Sequence, residues 1–179
     1  MTREGLNEIL RKHKLWLDDA DGGERADMQY ADMQGANMRG AKMRGANMRD
    51  ADMQYANMQY ANMRDADMRG ADMQYADMQG ANMRGANMQD ADMQGADMQG
   101  ADIDYSCWPL WCGSLKAHVD DRIAIQLLYH ALSVVQHSPY VSENIKRTLL
   151  TPDVVEVANR FHRVDECGEL DVFYGGEEA

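Results

Sequence analysis

Cysteine is scarce in this chain, with three residues in 179. That count excludes a cystine-held secreted scaffold and fits a reducing compartment, the cytoplasm. Long apolar runs are missing as well. None approaches the ~20 residues that span a bilayer, so a membrane-spanning role is excluded. The N-terminal stretch MTREGLNEIL has no apolar core of signal-peptide type. Cations are in the minority, 18 Lys and Arg against 30 Asp and Glu, for a net charge of −12. Direct nucleic-acid binding needs clustered Lys and Arg against phosphate, and this balance argues against it. Aromatic residues make up 7%, and most stand outside the central block or at its surface positions.

What is abundant is alanine and methionine at fixed positions. From Ala26 to Tyr105 the chain divides into sixteen pentads without a gap. Each reads Ala, then Asp or Asn, then Met, then usually Gln or Arg, then Gly, Tyr or Asp. A period of five suits neither a helix nor a long strand. On an α-helix, five residues turn roughly 500°, so the apolar positions would wander around the axis. In extended backbone, Ala and Met two apart share one side and the residue between them points away. The next Ala comes three residues after Met, so the inward phase holds only if the chain turns a corner between pentads. Short extended steps joined by corners make a closed solenoid, with Ala and Met inside. The expected core is Met28, Met33, Met38, Met43, Met48, Met53, Met58, Met63, Met68, Met73, Met78, Met83, Met88, Met93, Met98 and Ile103. Agreement among the variable positions disfavours three pentads per turn and leaves four and five unseparated.

The A-(D/N)-M-x-x array resembles the pentapeptide-repeat family, whose pattern is A-(D/N)-L-x-x. The flanks resemble bacterial and phage-type members: HKLWL (13–17) and GGERA (22–26) before the array, CWPLWCGSL (107–115) after it. The resemblance implies a mainly β fold, a right-handed quadrilateral β-helix with four pentads per coil and hence four coils. The departure is the central position, where Leu or Phe is usual. A near-uniform Met column suggests a consensus-like or engineered array between natural-looking ends, recent duplication in a natural gene being the alternative. Met is flexible and specifies packing weakly, so the core should be softer than a Leu column.

Open solenoid ends need covers. Residues 1–25 are expected to supply one, with Leu6, Ile9, Leu10 and His13 on the inner face of a helix over 5–17 and Asp21-Gly22-Gly23 as the turn into the array. Residues 106–167 are expected to supply the other. Ser114–Val119 reads as a short strand. A helix follows over about 121–136, capped by Asp120 or Asp121, with Ile123, Leu127, Leu128, Ala131, Leu132 and Val135 inward. Ser138-Pro139 and Thr151-Pro152 each read as a helix start. Val141, Ile145 and Leu149 would line the first of these, and Val154, Val155, Ala158 and Phe161 the second. Their apolar faces would meet Trp108, Leu110 and Trp111. Residues 168–179 read as an acidic, flexible tail.

With four pentads per coil, every twentieth residue stacks. One side then carries Asp32, Asp52, Asp72 and Asp92 in a column, beside Gln34, Gln54, Gln74 and Gln94, with Tyr55 over Tyr75. The opposite side carries Lys42 and an Arg44, Arg64, Arg84 column. The first set is the candidate interaction face. The family resemblance implies one partner for it, a type II topoisomerase met by an acidic imitation of DNA. Stacked carboxylates also need a cation or hydrogen bonds to compensate, and Ca²⁺ or Mg²⁺ would suit oxygen ligands. The third reading is a solvated ladder whose Asp and Asn side chains satisfy main-chain groups at the turns.

Cys107, Cys112, His162 and Cys167 invite a zinc reading, but the two-residue knuckle spacing is absent. No nucleophile motif accompanies the five histidines. A Cys107 or Cys112 pair with His118 is the one thiol arrangement to weigh. The reading is therefore a non-enzymatic structural or interaction scaffold with no catalytic residues, cofactor or metal, either monomeric or a homodimer.

Overall fold

The computed structural model describes residues 1–104, 106, 117–161, 164 and 168–173. It separates into two compact units, Met1–Val119 and Asp120–Ala179.

In the first unit, helix α1 (Arg3–Leu17) begins at Thr2, whose hydroxyl accepts the Gly5 N–H. That satisfies one of the orphan donors of a helix start. Leu6 and His13 are buried, while Ile9 and Leu10 are half-buried. Glu24 N–H donates to the Lys12 carbonyl at 3.1 Å, and Glu24 also pairs with Lys12 Nζ at 2.9 Å. Gly22 and Gly23 make the turn for different reasons. Gly22 takes φ +74° with open space around it. Gly23 lies against the main chain of α1, where a Cβ would fall 2.6 Å from Trp16 Cα.

His13 fixes the entry to the array. Its Nδ1 accepts the Ala26 N–H at 2.9 Å, and its ring stacks on Trp16 at 5.3 Å between centroids. Burial holds its pKa below the ordinary histidine value; the Arg25 charge acts the same way and the Arg44 main chain opposes. The folded chain thus binds fewer protons at His13 than the unfolded chain does. Its contribution to stability is complete above about pH 6.5 and is lost as pH falls below that. Denaturant midpoints are expected to drop between pH 7.5 and 5.5. The drop should shrink in His13→Asn, whose amide oxygen accepts the same N–H at any pH. An equal drop in both would refute the assignment.

From Asp27 onward the chain forms single-residue parallel bridges, each pairing a position-two residue with the one twenty positions on: Asp27 with Asn47, Asp32 with Asp52, and so to Asn82 with Asp102. Stacked positions are therefore four pentads apart, which separates the two periods left open by sequence. We number the sides one to four from the pentads beginning at Ala26, Ala31, Ala36 and Ala41. The main-chain groups are spent in a fixed scheme. Asp52 N–H donates to Ala31 in the rung before (2.9 Å), and Met33 N–H donates to Asp52 in the rung after (2.7 Å). Tyr55 N–H donates to Gln74 (3.0 Å), and Ala31 N–H closes a turn onto Met28 (3.1 Å). In the inner rungs of the described array, the position-four N–H is the one left without a main-chain partner.

The interior is as the spacing requires. Every methionine from Met28 to Met98 is at most 2% exposed, and Ile103 is 3% exposed. The array alanines from Ala46 to Ala101 are buried too. Side three gains one further rung from outside the pentads: His118 N–H donates to Ala96 (2.7 Å) and Met98 N–H donates to His118 (2.8 Å). This is the described part of the strand expected over 114–119.

The second unit packs around Tyr129, Leu132, Leu150, Val155, Ala158, Phe161 and Leu170. Helix α2 (Asp121–His137) is capped by Asp120, whose carboxylate accepts the Ile123 N–H. Its buried face is Ile123, Gln126, Tyr129 and Leu132, and Ala131 is exposed. The face is rotated from the expected one because Tyr129 stacks on Phe161 at 4.7 Å and carries far more area than Ala131.

Pro139 does not start a helix. Ser138 is consumed as the end of α2, its N–H on Val134 and its hydroxyl accepting from Tyr140. Helix α3 (Glu143–Leu149) begins instead at Ser142, which accepts the Ile145 N–H. Ile145 and Leu149, expected inside, are 45% and 39% exposed, and Leu150 takes the buried place. Helix α4 (Pro152–Ala158) follows Thr151 with proline in its first turn and buries Val155 and Ala158. Within the sequence assigned to an acidic tail, residues 168–173 are held by their N–H groups: Leu170 donates to Asn159 Oδ1, Asp171 to Gln136 Oε1 and Phe173 to the Leu150 carbonyl. Trp108, Leu110, Trp111, Cys107, Cys112, His162 and Cys167 lie outside the described residues.

Candidate interaction face

The position-two side chain supplies the acceptor that the main chain lacks. Asp32 Oδ1 accepts the Gln34 N–H at 3.2 Å, Asp52 the Gln54 N–H at 3.2 Å, Asp72 the Gln74 N–H at 3.1 Å and Asp92 the Gln94 N–H at 3.0 Å. The same Asx turn recurs in every other pentad with Asp or Asn at position two. Lys42 is the exception, since an ammonium cannot accept. Hence position two needs a short side chain with an acceptor oxygen, and charge is secondary. Replacing Lys42 with Asn is expected to stabilise the chain by about 1 kcal/mol, the net worth of one such bond. A thermal unfolding comparison checks it; a lower midpoint would refute the account.

The second carboxylate oxygens of Asp52 and Asp72 are also engaged. Gln34 Nε2 donates to Asp52 Oδ2 at 2.8 Å and Gln54 Nε2 to Asp72 Oδ2 at 2.6 Å. Gln74 turns onto its own Asp72 at 3.4 Å, and Gln94 reaches the Tyr75 hydroxyl at 3.4 Å. Side three repeats the device, with Gln59 on Asp77 and Gln79 on Asp97. The four aspartates of side two are therefore one aligned column, with Asp52 and Asp72 each bonded by a glutamine amide of the rung before. Among the described residues, no three His, Cys, Asp or Glu side chains gather as a metal site would require. Side one differs: Arg69 grips Asp67 at 2.6 Å and 2.8 Å. That guanidinium holds the Asp67 carboxyl below the usual range. On side four, Arg44 and Arg64 form no salt bridge with a described residue, and Lys42 is exposed.

The corners were not legible as backbone. Every described position-five residue lies at φ between +53° and +71°, tyrosines and aspartates included. Position five is the third residue of the Met-to-Ala turn, where a type II turn requires the left-handed region. Glycine at half of the sixteen positions was the available signal. Tyr55 and Tyr75 stack at 5.2 Å with planes 9° apart and stay 63% and 48% exposed. Tyr75 in turn covers Gly95, where a Cβ would meet its ring at 2.6 Å, and Tyr60 covers Gly80 in the same way. Tyr55, Tyr60 and Tyr75 are each followed one rung on by a tyrosine or a glycine, whereas Tyr30 is followed by Asp50. Arg39 sits 5.7 Å over the Tyr60 ring.

With this geometry in place, the comparisons decide the family. Residues 24–45, 31–70, 46–85 and 66–104 match the model for pentapeptide repeats, in eight copies. The array belongs to the pentapeptide-repeat family. Its parallel ladder joins residues twenty apart, so four pentads complete each turn.

Similar solved structures include the pentapeptide repeat protein Rfr23 from the cyanobacterium Cyanothece 51142, at 20% identity over 52% of this chain and 60% of that one, TM-score 0.28. Another is the pentapeptide repeat protein alr5209 from Nostoc Pcc 7120, at 22% identity over 62% and 93%, TM-score 0.29. A third is QnrB1, a plasmid-mediated fluoroquinolone resistance protein, at 15% identity over 60% and 83%, TM-score 0.25. The chain thus spans three-fifths of the length of Rfr23. No curated protein sequence matches the chain. No helix among the described residues is long and apolar enough to cross a membrane.

Proposed function

We propose that this pentapeptide-repeat chain is a non-enzymatic structural and interaction scaffold. It is a quadrilateral solenoid of four coils partly covered at its start by α1, with Asp32, Asp52, Asp72, Asp92, Tyr55 and Tyr75 as its contact face. The observation that carries the reading is the Asx turn, repeated at every pentad but that of Lys42. The polar residues of the repeat are spent on building the solenoid evenly along its axis, and not on one local constellation. The uniform methionine column is what a consensus-built or freshly duplicated array would carry.

A second reading is an acidic imitation of DNA for a type II topoisomerase. The aligned carboxylates of side two favour it, at about 4.8 Å per rung. Against it, glutamine amides already bond Asp52 and Asp72. A gyrase supercoiling assay over a range of salt separates the two. The scaffold reading expects no effect at high protein concentration. Inhibition, or protection from a quinolone, that disappears when all four aspartates become Asn would replace it with the mimic.

A further inference from the structure

At the N-terminal end of the array the ladder stops, but the first coil is only partly covered. Deeper in the array each position-two residue has both main-chain groups paired: Asn57 N–H donates to Ala36 (2.9 Å), and Asn57 C=O accepts from Met38 (2.7 Å). One rung earlier, no described residue meets the N–H or C=O of Asn37, or those of Lys42. The neighbouring sides are met in part, since the N-terminal segment engages one main-chain group on each while the Asp27 N–H and C=O and the Asp32 N–H have no described partner. His13 takes the Ala26 N–H, and the Met1 amino group reaches the Asp32 carbonyl. Burial follows the same division. Ala26 is 2% exposed, whereas Ala31, Ala36 and Ala41 are half-buried, unlike the alanines of later rungs. Beside the open edge lies a groove of about 570 Å³, with Leu6 and Asn7 of α1 on one wall and Met33, Ala36 and Asn37 on the other.

We propose that this edge and groove bind an extended peptide carrying the array's own Ala-(Asp/Asn)-(Met/Leu) pattern, as one added parallel rung on side three. An unpaired strand edge is a template for pairing with another chain. The ladder dictates the bonds. The peptide's first residue accepts from Asn37 N–H, and its third residue donates to Asn37 C=O. These two side chains point inward over Ala36 and Met38, so the first is small and the third is a long apolar one. The middle residue points outward above Asn37. Cross-rung bonding there favours Asn or Asp, as Asn47 Nδ2 on Asp27 Oδ1 at 2.9 Å shows on side one. The other end of side three carries a rung of this kind. His118, from outside the pentads, pairs with Ala96 and Met98 by the same two bonds. A segment that is not part of the repeat can thus complete this side.

The test is fluorescence anisotropy with a labelled ten-residue peptide of the sequence ADMQGANMRG, followed by amide shifts on ¹⁵N-labelled protein. Saturable binding is expected, with shifts at Leu6, Asn7, Ala36 and Asn37 and slowed exchange of the Asn37 amide. Methylating the nitrogen of the peptide's first methionine removes the donor to Asn37 and should weaken binding about tenfold. Asn7→Trp, on the exposed side of α1, narrows the groove without touching the ladder and should also weaken it. The triple variant Asp52→Asn, Asp72→Asn, Asp92→Asn leaves the groove intact and should bind as the parent does, whatever becomes of side two. No saturation at about 1 mM peptide, equal binding of the methylated peptide, or shifts confined to other residues would overturn the proposal.

Discussion

Gly23→Ala is expected to cost about 3 kcal/mol and to loosen α1 from the array. The added Cβ would fall 2.6 Å from Trp16 Cα and 2.7 Å from the Leu15 carbonyl carbon, and closer still to Trp16 N. These are main-chain atoms in the last turn of a helix, so no rotamer change relieves the overlap. Either α1 shifts or the turn does. A shift of α1 breaks the Glu24-to-Lys12 bond and the Ala26-to-His13 bond, because both depend on the same approach. Gly22→Ala is the control. Its Cβ would meet nothing within 4 Å, and the cost is only that of a left-handed alanine, about 1–2 kcal/mol. Urea denaturation of both variants, with Trp16 fluorescence as the local probe, checks the contrast. Equal losses in the two would refute the close approach to α1 as the reason for the second glycine.

Met68→Ala is expected to cost about 2–5 kcal/mol, while Met68→Leu should cost less than about 1.5 kcal/mol. Met68 lies in the middle of the array and is 0% exposed. Truncation leaves a cavity in a wall fixed by ladders above and below, so collapse around it is limited. Oxidation probes the same column without mutation. The chain has sixteen methionines. Met1 is 44% exposed, and the other fifteen are at most 2% exposed. Peroxide should add one oxygen at Met1 first. The core follows only as fast as the array opens, and a sulfoxide placed there without a partner then opposes closing. Intact mass spectra should show two populations, one oxygen and many, with little between. A steady ladder of single additions under native conditions would show that the Met column is open to solvent.

How much of this was legible varies by region. The array was read almost whole, because a five-residue period admits few arrangements. Ala and Met two apart share a side only in extended backbone, and the next Ala returns inward only after a corner. The turn number was not legible, since side chains at four and five pentads match equally well. The corner conformation was also missed, although glycine at half of the fifth positions hinted at it. Tyr30, Tyr55, Tyr60 and Tyr75 adopt the same left-handed backbone, which propensity alone would not assign to tyrosine.

The helical unit was harder. Asp120 and Thr151-Pro152 mark their helices by local chemistry that neighbours do not override. Ser138-Pro139 carries the same signature yet fails, because Ser138 is already engaged in ending α2.

The sequence by itself determined the repeat and its inward residues, and it placed Asp or Asn at position two of every pentad but that of Lys42. Those follow from bond geometry within a few residues. Only the tertiary structure decided that stacked residues lie twenty apart, that Asp52 and Asp72 are bonded by glutamines of the rung before, and that the first coil keeps an open edge at Asn37. Each depends on which rung comes to lie against which, and that is set by backbone hydrogen bonds between residues far apart in the chain, to which the side-chain pattern is nearly indifferent.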